Sequence, residues 1–513
     1  MTFSGISLQN LVSISFAVFL LTYIFFVRPS NTWHSVAINE ITLLHNIIIA
    51  FTLLISISIA VLPMSLSPYW NGSIPYKADK QQYDRMADAL LQGHLYIDNG
   101  DIDPALSMME NPYDSVLRET WEVEYHWDEA YYNNHYYMYF GIVPTLILFL
   151  PFKLLTGKAL LSYQATQVFA ALSIVGMFYL FYMLCRHFFA KMPFSLYLVL
   201  SSAFSILSIG YSIEAPALYC TAIVSAVCLM IWSIVCFIKG AWSSLDTKWG
   251  NCYLFAGGLL GALAFGCRPP VALANLVIIP VLAQIYDKKN VDYAGKMKSV
   301  ISLFFPYLFI GLMLMAYNYA RFDNAFEFGQ SYQLTVTDQH SYRSISEKFN
   351  LSEMFLELVL NFHGISHFVD QFPFLFYNGA FVNFPILLLS FKIFTKNIGD
   401  NLKKKQMYLL AQILLLIPFI ISIIDIYWTP FLLERYRLDF YYLLCIVSFI
   451  SIASWLEVIS KPMKKILICS TITLGFAVFL IEFLFFCIPF DGSYTYYYPE
   501  ILEEIYKGLR FGF

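Results

Sequence analysis

Charged residues are scarce in this chain. Asp, Glu, Lys and Arg make up 13% of its 513 residues, about half the share of an ordinary soluble domain, so a soluble fold is excluded. No nucleic-acid partner is expected either. Cysteine is missing from every long polar stretch: the nine present (Cys185, Cys220, Cys228, Cys236, Cys252, Cys267, Cys445, Cys469 and Cys487) lie in or at the ends of apolar segments. Disulfides and cysteine metal sites are therefore not expected. There is no heptad array, low-complexity tract or repeat of 20 to 50 residues, which excludes solenoids and long coiled coils. The first apolar segment lacks a basic leading region and a small-residue cleavage site, and so reads as a retained helix.

Apolar and aromatic residues take the place of what is missing. Hydrophobic residues reach 59% and aromatics 18%, with a mean hydropathy of +0.62. Runs long enough to cross a hydrocarbon core of ~30 Å recur along nearly the whole chain. They place helices near 7–27, 43–65, 165–185, 193–213, 216–238, 251–267, 270–286, 299–320, 375–395, 407–426, 438–458 and 466–489. The fold class read from this pattern is an all-α polytopic membrane protein of about twelve crossings.

One further apolar run, 138–155, is broken by Pro144 and Pro151. Treating it as re-entrant or interfacial puts 17 of the 31 Lys and Arg, with only 6 of the 35 Asp and Glu, in loops on one face. That face is cytoplasmic by the positive-inside rule, both termini lie outside, and a full crossing at 138–155 would destroy the segregation. The resulting plan has two crossings in 1–66, a first outer loop at 67–164, crossings in 165–320, a second outer loop at 321–374, crossings in 375–489 and an outer tail at 490–513.

The first outer loop is rich in chemistry-bearing residues. From Asp79 onward, Tyr83, Met86, Ala87, Leu90 and Leu91 share one helix face, closed by Gly93, which predicts an interfacial helix. Asp79 has two readings. With Gln82 three residues later it is a helix cap; projecting into an outward cavity it is a base, a role that capping weakens by lowering the pKa. Asp84 is a competing acid. The stretch Tyr125–Phe140 holds a dense set of aromatic rings with His126, Asp128 and His135. An aromatic belt at the lipid boundary accounts for its tyrosines, whereas Asp128 beside an apolar segment requires a partner. A divalent metal on His126, Asp128 and His135 has no rigid ligand spacing behind it.

Three later positions complete the candidate set. Arg268 stands in Gly-Cys-Arg-Pro-Pro, at a corner between two crossings, and either snorkels or binds a phosphate. Glu327, Tyr332 and Gln333 open the second outer loop. Arg435 and Arg437 precede the helix at 438–458, where Arg435 either pairs with Asp439 at i,i+4 or meets a lipid-linked phosphate.

Taken in order, Tyr83-Asp-Arg-Met-Ala-Asp-Ala-Leu-Leu-Gln-Gly-His-Leu-Tyr, Trp127-Asp-Glu-Ala-Tyr-Tyr, Tyr136-Tyr-Met-Tyr-Phe-Gly-Ile-Val-Pro, Cys267-Arg-Pro, Arg321-Phe-Asp and Arg435-Tyr resemble bacterial membrane glycosyltransferases of the C-type (GT-C) superfamily. This group includes the protein O-mannosyltransferases and the aminoarabinose transferases of lipid A. The resemblance implies a plasma-membrane enzyme with its active site on the outer face, a polyprenyl-phosphate sugar as donor, and a glycan, lipid or protein acceptor. It implies an aspartate of the first outer loop as general base, carried most closely by Asp79, with Asp128 beside it. Arg268, Arg435 and Arg437 would meet the donor phosphate, and Tyr83, Tyr132, Glu327 and Tyr332 would line the substrate pocket. No firm cofactor follows, though a divalent metal fits the chemistry. Two crossings before the loop depart from the single one usual in that group. The alternatives from other classes are a lipid or solute transporter and a non-catalytic scaffold of the cell envelope.

Overall fold

The computed structural model describes residues 2–3, 6–73, 81–98, 100–243, 248–339, 350–365, 369–428 and 432–511. Among these, nine helices are long and apolar enough to cross a membrane, and four shorter apolar helices accompany them. The chain is an all-α multi-pass membrane protein with very little sheet. All twelve apolar runs form helix over most of their length, but two break early. The run at 193–213 is helical over Phe194–Leu207 and resumes as the single turn Tyr211–Glu214. The run at 375–395 becomes the short turn Ala380–Asn383 followed by a 3-10 helix, Pro385–Phe394, because Pro385 lacks the N–H that would continue the first helix.

Helices that are hydrophobic all round lie in the centre, as burial of every face demands. Ser162–His187, Phe194–Leu207, Tyr219–Ile238 and Leu438–Val458 form that centre. Leu8–Val27, Leu43–Val61 and Tyr293–Phe322 surround it, with Leu21, Leu44, Phe51 and Leu308 turned outward. Gly258 shows how closely helices meet: a Cβ there would lie 2.3 Å from the Leu303 carbonyl oxygen, so Lys248–Phe265 and Tyr293–Phe322 touch backbone to backbone. The chain ends share one end of the bundle. Ser13 Oγ donates to the Gly508 carbonyl at 2.8 Å, and Ser67 Oγ to that of Gly492 at 2.7 Å.

Above that end the first outer loop is an ordered layer. Its helix spans Gln82–Gln92 with Gln81 at the N-cap position, where it makes no side-chain cap bond; Asp79, the expected cap, lies outside the described residues. Gly93 closes it at φ 85°, as its position in the sequence indicated. Its apolar face packs on protein instead of lying in lipid: Tyr83 stacks on Phe149 at 5.2 Å. Phe149 belongs to the short apolar helix Thr145–Thr156, which with the preceding turn occupies the 138–155 run. Lys153 from that helix pairs with Asp84 at 2.9 Å and Asp88 at 2.6 Å, tying it to the loop helix.

The aromatic stretch contains a β-hairpin that the all-α reading did not include. Ala130–Tyr132 pairs antiparallel with His135–Tyr137, and Asn133 and Asn134 take φ of 48° and 60°, the left-handed pair of a tight hairpin turn. The second outer loop adds to its edge. Leu334 N donates to the Glu129 carbonyl and Asp128 N to the Leu334 carbonyl, each at 3.0 Å, so the two loops form one layer. The second loop also carries a helix, Leu351–His363, with Phe355 and Leu356 exposed.

Candidate functional site

The layer meets the bundle at the corner before Arg268. Val143 N donates to the Gly266 carbonyl at 3.1 Å, and a Cβ on Gly141 would stand 2.1 Å from the same oxygen. Only glycine permits this approach. It brings the end of the hairpin segment over Arg268, the extended N-cap residue of the turn Pro269–Ala272.

Arg268 does not face a vacant pocket. Its Nε donates to both oxygens of Asp439, at 2.9 and 3.0 Å, and its Nη2 donates to Oδ2 at 2.8 Å. Burial opposes the charge, and the Asp439 carboxylate more than offsets it, so the Arg268 pKa is raised above its ordinary value. Asp425, from the helix Tyr408–Trp428, adds to the same field. The i,i+4 pairing expected between Arg435 and Asp439 is absent, because Asp439 is wholly buried and turned toward Arg268.

Arg435 is thereby left without a carboxylate within 4 Å among the described residues. Its guanidinium lies over the Tyr219 ring, 3.9 Å from the centroid, with the Tyr436 ring at 5.5 Å. Such stacking holds an arginine in place without neutralising it. Arg268 lies 5.1 Å from the Tyr436 centroid, so one ring separates the paired arginine from the unpaired one.

Asp128 approaches from the loop layer. Its φ of 60° is left-handed, a region that Asp enters more readily than most side-chain-bearing residues. Gln82 Nε2 donates to its backbone carbonyl at 3.1 Å, and Gln333 Nε2 donates to Oδ1 at 2.9 Å. The partner that this acid required is thus a glutamine from the second outer loop. The hydroxyl of half-buried Tyr139 responds to both groups: burial pushes it up to about 12, Arg268 and Arg435 pull it back, and Asp128 adds to the rise. Asp128, Tyr139, Arg268, Tyr436 and Arg435 therefore make one electrostatic neighbourhood.

The other sequence candidates disperse. Asp79 lies outside the described residues. Asp84 is committed to Lys153 and to the Leu160 N–H at 3.2 Å. Tyr83 is fully buried against Phe149, with no partner for its hydroxyl among the described residues. Tyr132 and Tyr332 stack with centroids 4.6 Å apart, and Tyr132 donates to Asp323 at 3.3 Å, on the flank of the hairpin. Glu327 folds its own turn, accepting from the Gly329 N–H and the Ser331 hydroxyl, each at 2.8 Å. Arg437 donates to Asn361 Oδ1 at 3.1 Å. His126 pairs with Glu129 at 3.0 Å and Asp101 at 2.9 Å, while His135 pairs with Asp98 at 3.1 Å, so the two histidines and Asp128 have separate partners. Among the described residues no three metal-ligating side chains converge.

Tyr139 and Tyr436 of this neighbourhood, and Tyr219 and Asp439 beside it, escaped the sequence reading of the site. Tyr139 and Tyr219 look like ordinary membrane tyrosines. Asp439 carried a signal, being an acid at the head of an apolar helix, where such a residue requires a partner. No family model matches this chain, and no curated protein matches it.

Proposed function

We propose that the chain is a membrane glycosyltransferase that moves a sugar from a polyprenyl-phosphate donor to an acceptor hydroxyl at the outer face of the membrane. The proposal includes twelve crossings, with both termini on the side of the loop layer. The observation that carries it is that Arg435, which has no carboxylate within 4 Å among the described residues, and Asp128, which accepts from both outer loops, act on the same tyrosine, Tyr139. An exposed solvated loop needs neither feature.

In this reading the donor phosphate meets Arg435, whose charge stabilises the negative charge gathering on the leaving oxygen. The acceptor oxygen bonds to the sugar anomeric carbon, and the bond from that carbon to the phosphate oxygen breaks with its electron pair. The acceptor proton passes to a carboxylate of the first outer loop, Asp79 or Asp128. The products are the glycosylated acceptor and polyprenyl phosphate.

The test is purified protein in vesicles offered a panel of labelled polyprenyl-phosphate sugars. Release or transfer of one sugar, lost in Arg435→Ala and reduced in Asp128→Asn, is expected. Turnover of no donor overturns the proposal, and undiminished turnover in Arg435→Ala removes the phosphate site from this arginine. A carrier reading has one feature in its favour: Glu214 and Glu482 lie buried near each other, with Tyr377 donating to Glu214. Substrate-dependent proton flux through reconstituted protein, without sugar release, favours that carrier.

A further inference from the structure

At the end of the bundle away from the loop layer lies a cavity of about 470 Å³. Its walls come from the linker after the first helix, from the start of Phe194–Leu207 and from the first turn of Lys461–Phe486. The walls are fixed: Phe194 N donates to the Val36 carbonyl at 2.9 Å, Ile38 N to that of Met192 at 3.1 Å, and Cys469 Sγ to that of Val27 at 3.2 Å.

Four lysines face this cavity: Lys191, Lys461, Lys464 and Lys465. None has a carboxylate within 4 Å among the described residues, and no acid lines the cavity. The nearby Glu457 is engaged by Lys405 at 3.0 Å and by Asn401 at 3.0 Å. His34 does not add a cation. Its Nε2 lies 3.1 Å from the Arg28 carbonyl and its Nδ1 2.8 Å from Ser195 Oγ, while burial and Lys465 hold its pKa below the ordinary value.

A general preference for lysine on the cytoplasmic side explains their presence on this face but not their convergence. Two of them, Lys461 and Lys464, occupy the first turn of a 26-residue helix that has no acid in that turn, where the dipole disfavours cations, and Lys465 follows directly. Mutual repulsion of four amines around one space adds to that cost. A bound anion reverses both effects. Beside the cavity the same helix exposes Met463 and Ile466, and the first helix exposes Ile24 and Phe25, giving acyl chains an apolar surface contiguous with the charge.

We propose that this cavity binds the phosphate of an anionic phospholipid headgroup, with Lys461, Lys464 and Lys465 as its main ligands. The site is independent of the transferase reading. The test uses full-length protein in nanodiscs of phosphatidylcholine with or without phosphatidylglycerol, and native mass spectrometry to count retained lipids. Wild type is expected to retain phosphatidylglycerol over phosphatidylcholine. Lys464→Gln/Lys465→Gln should weaken retention by about 25-fold, roughly five-fold for each lysine near an anionic surface. Lys403→Gln/Lys404→Gln, on the same side but outside the cavity, should leave it unchanged. Equal loss in both double variants, or no preference for the anionic lipid in wild type, overturns the proposal. So does saturation by millimolar inorganic phosphate without lipid selectivity, which assigns the cavity to a free anion. A variant that does not fold leaves the wild-type lipid preference to decide.

Discussion

Replacing Arg268 by methionine should destabilise the protein more than replacing Asp439 by leucine, and the double replacement should cost less than the two together. The Arg268→Met change removes three hydrogen bonds of 2.8 to 3.0 Å and leaves Asp439, wholly buried, beside a second buried acid, Asp425. Breaking a buried pair from one side costs about 3–5 kcal/mol, and the repulsive field of Asp425 on the stranded Asp439 places this variant at the upper end. The Asp439→Leu change leaves Arg268 with 17% of its side chain exposed and Asp425 still in its field, so a cost near 3 kcal/mol is expected. In the double variant neither member of the pair is left facing a missing partner, so the coupling energy should reach at least ~2 kcal/mol. The measurement is unfolding of the four proteins in mixed micelles with a rising fraction of dodecyl sulfate. Additive costs refute the reasoning, as does an Arg268→Met protein of normal stability that is impaired only in donor binding.

Other consequences are tested more simply. Gly141→Ala puts a methyl group against a backbone oxygen, and overpacking of this kind costs about 1–3 kcal/mol; faster proteolysis of the first outer loop is the readout, and unchanged protection counts against the close contact. Gln333→Leu should lower the proposed transferase activity while sparing stability, because it removes one hydrogen bond that positions Asp128 without disturbing the backbone pairing at Leu334; equal activity separates this contact from the chemistry. Burial works against a charged His126, as does Arg85, but Glu129 and Asp101 prevail and raise its pKa above the ordinary value. Its charged pairs therefore stabilise the loop fully below pH ~6.5, the unfolded value, and that contribution is lost as pH rises through the higher folded value. Hydrogen exchange of 100–128 should speed up across this window in wild type and not in His126→Gln; a flat wild-type profile refutes the assignment.

The membrane helices were legible because apolar run length is a local property, and each run folds where its own composition places it. The loop helix was legible in its face and its Gly93 stop but not in its start, since Asp79 and Gln81 both suit the first turn. The hairpin left a local trace, tyrosines on either side of Asn133 and Asn134, that the weight of helical signal around it obscured. The site was the least legible part. Arg268 meets Asp439 across 171 positions and Asp128 meets Gln333 across 205, and neither separation leaves any periodic mark. A plausible short-range partner, Arg435 for Asp439, therefore masked the true one.

The stitching of the two outer loops sets a timetable for biogenesis. Asp128 and the hairpin edge are synthesised 205 residues before Gln333, and so before the segment that pairs with them exists. At roughly 5–20 residues per second, translation leaves that edge bare for about 10–40 s. An open strand edge is a template for another chain. For that interval the loop that finally covers the bundle depends on whatever guards nascent loops.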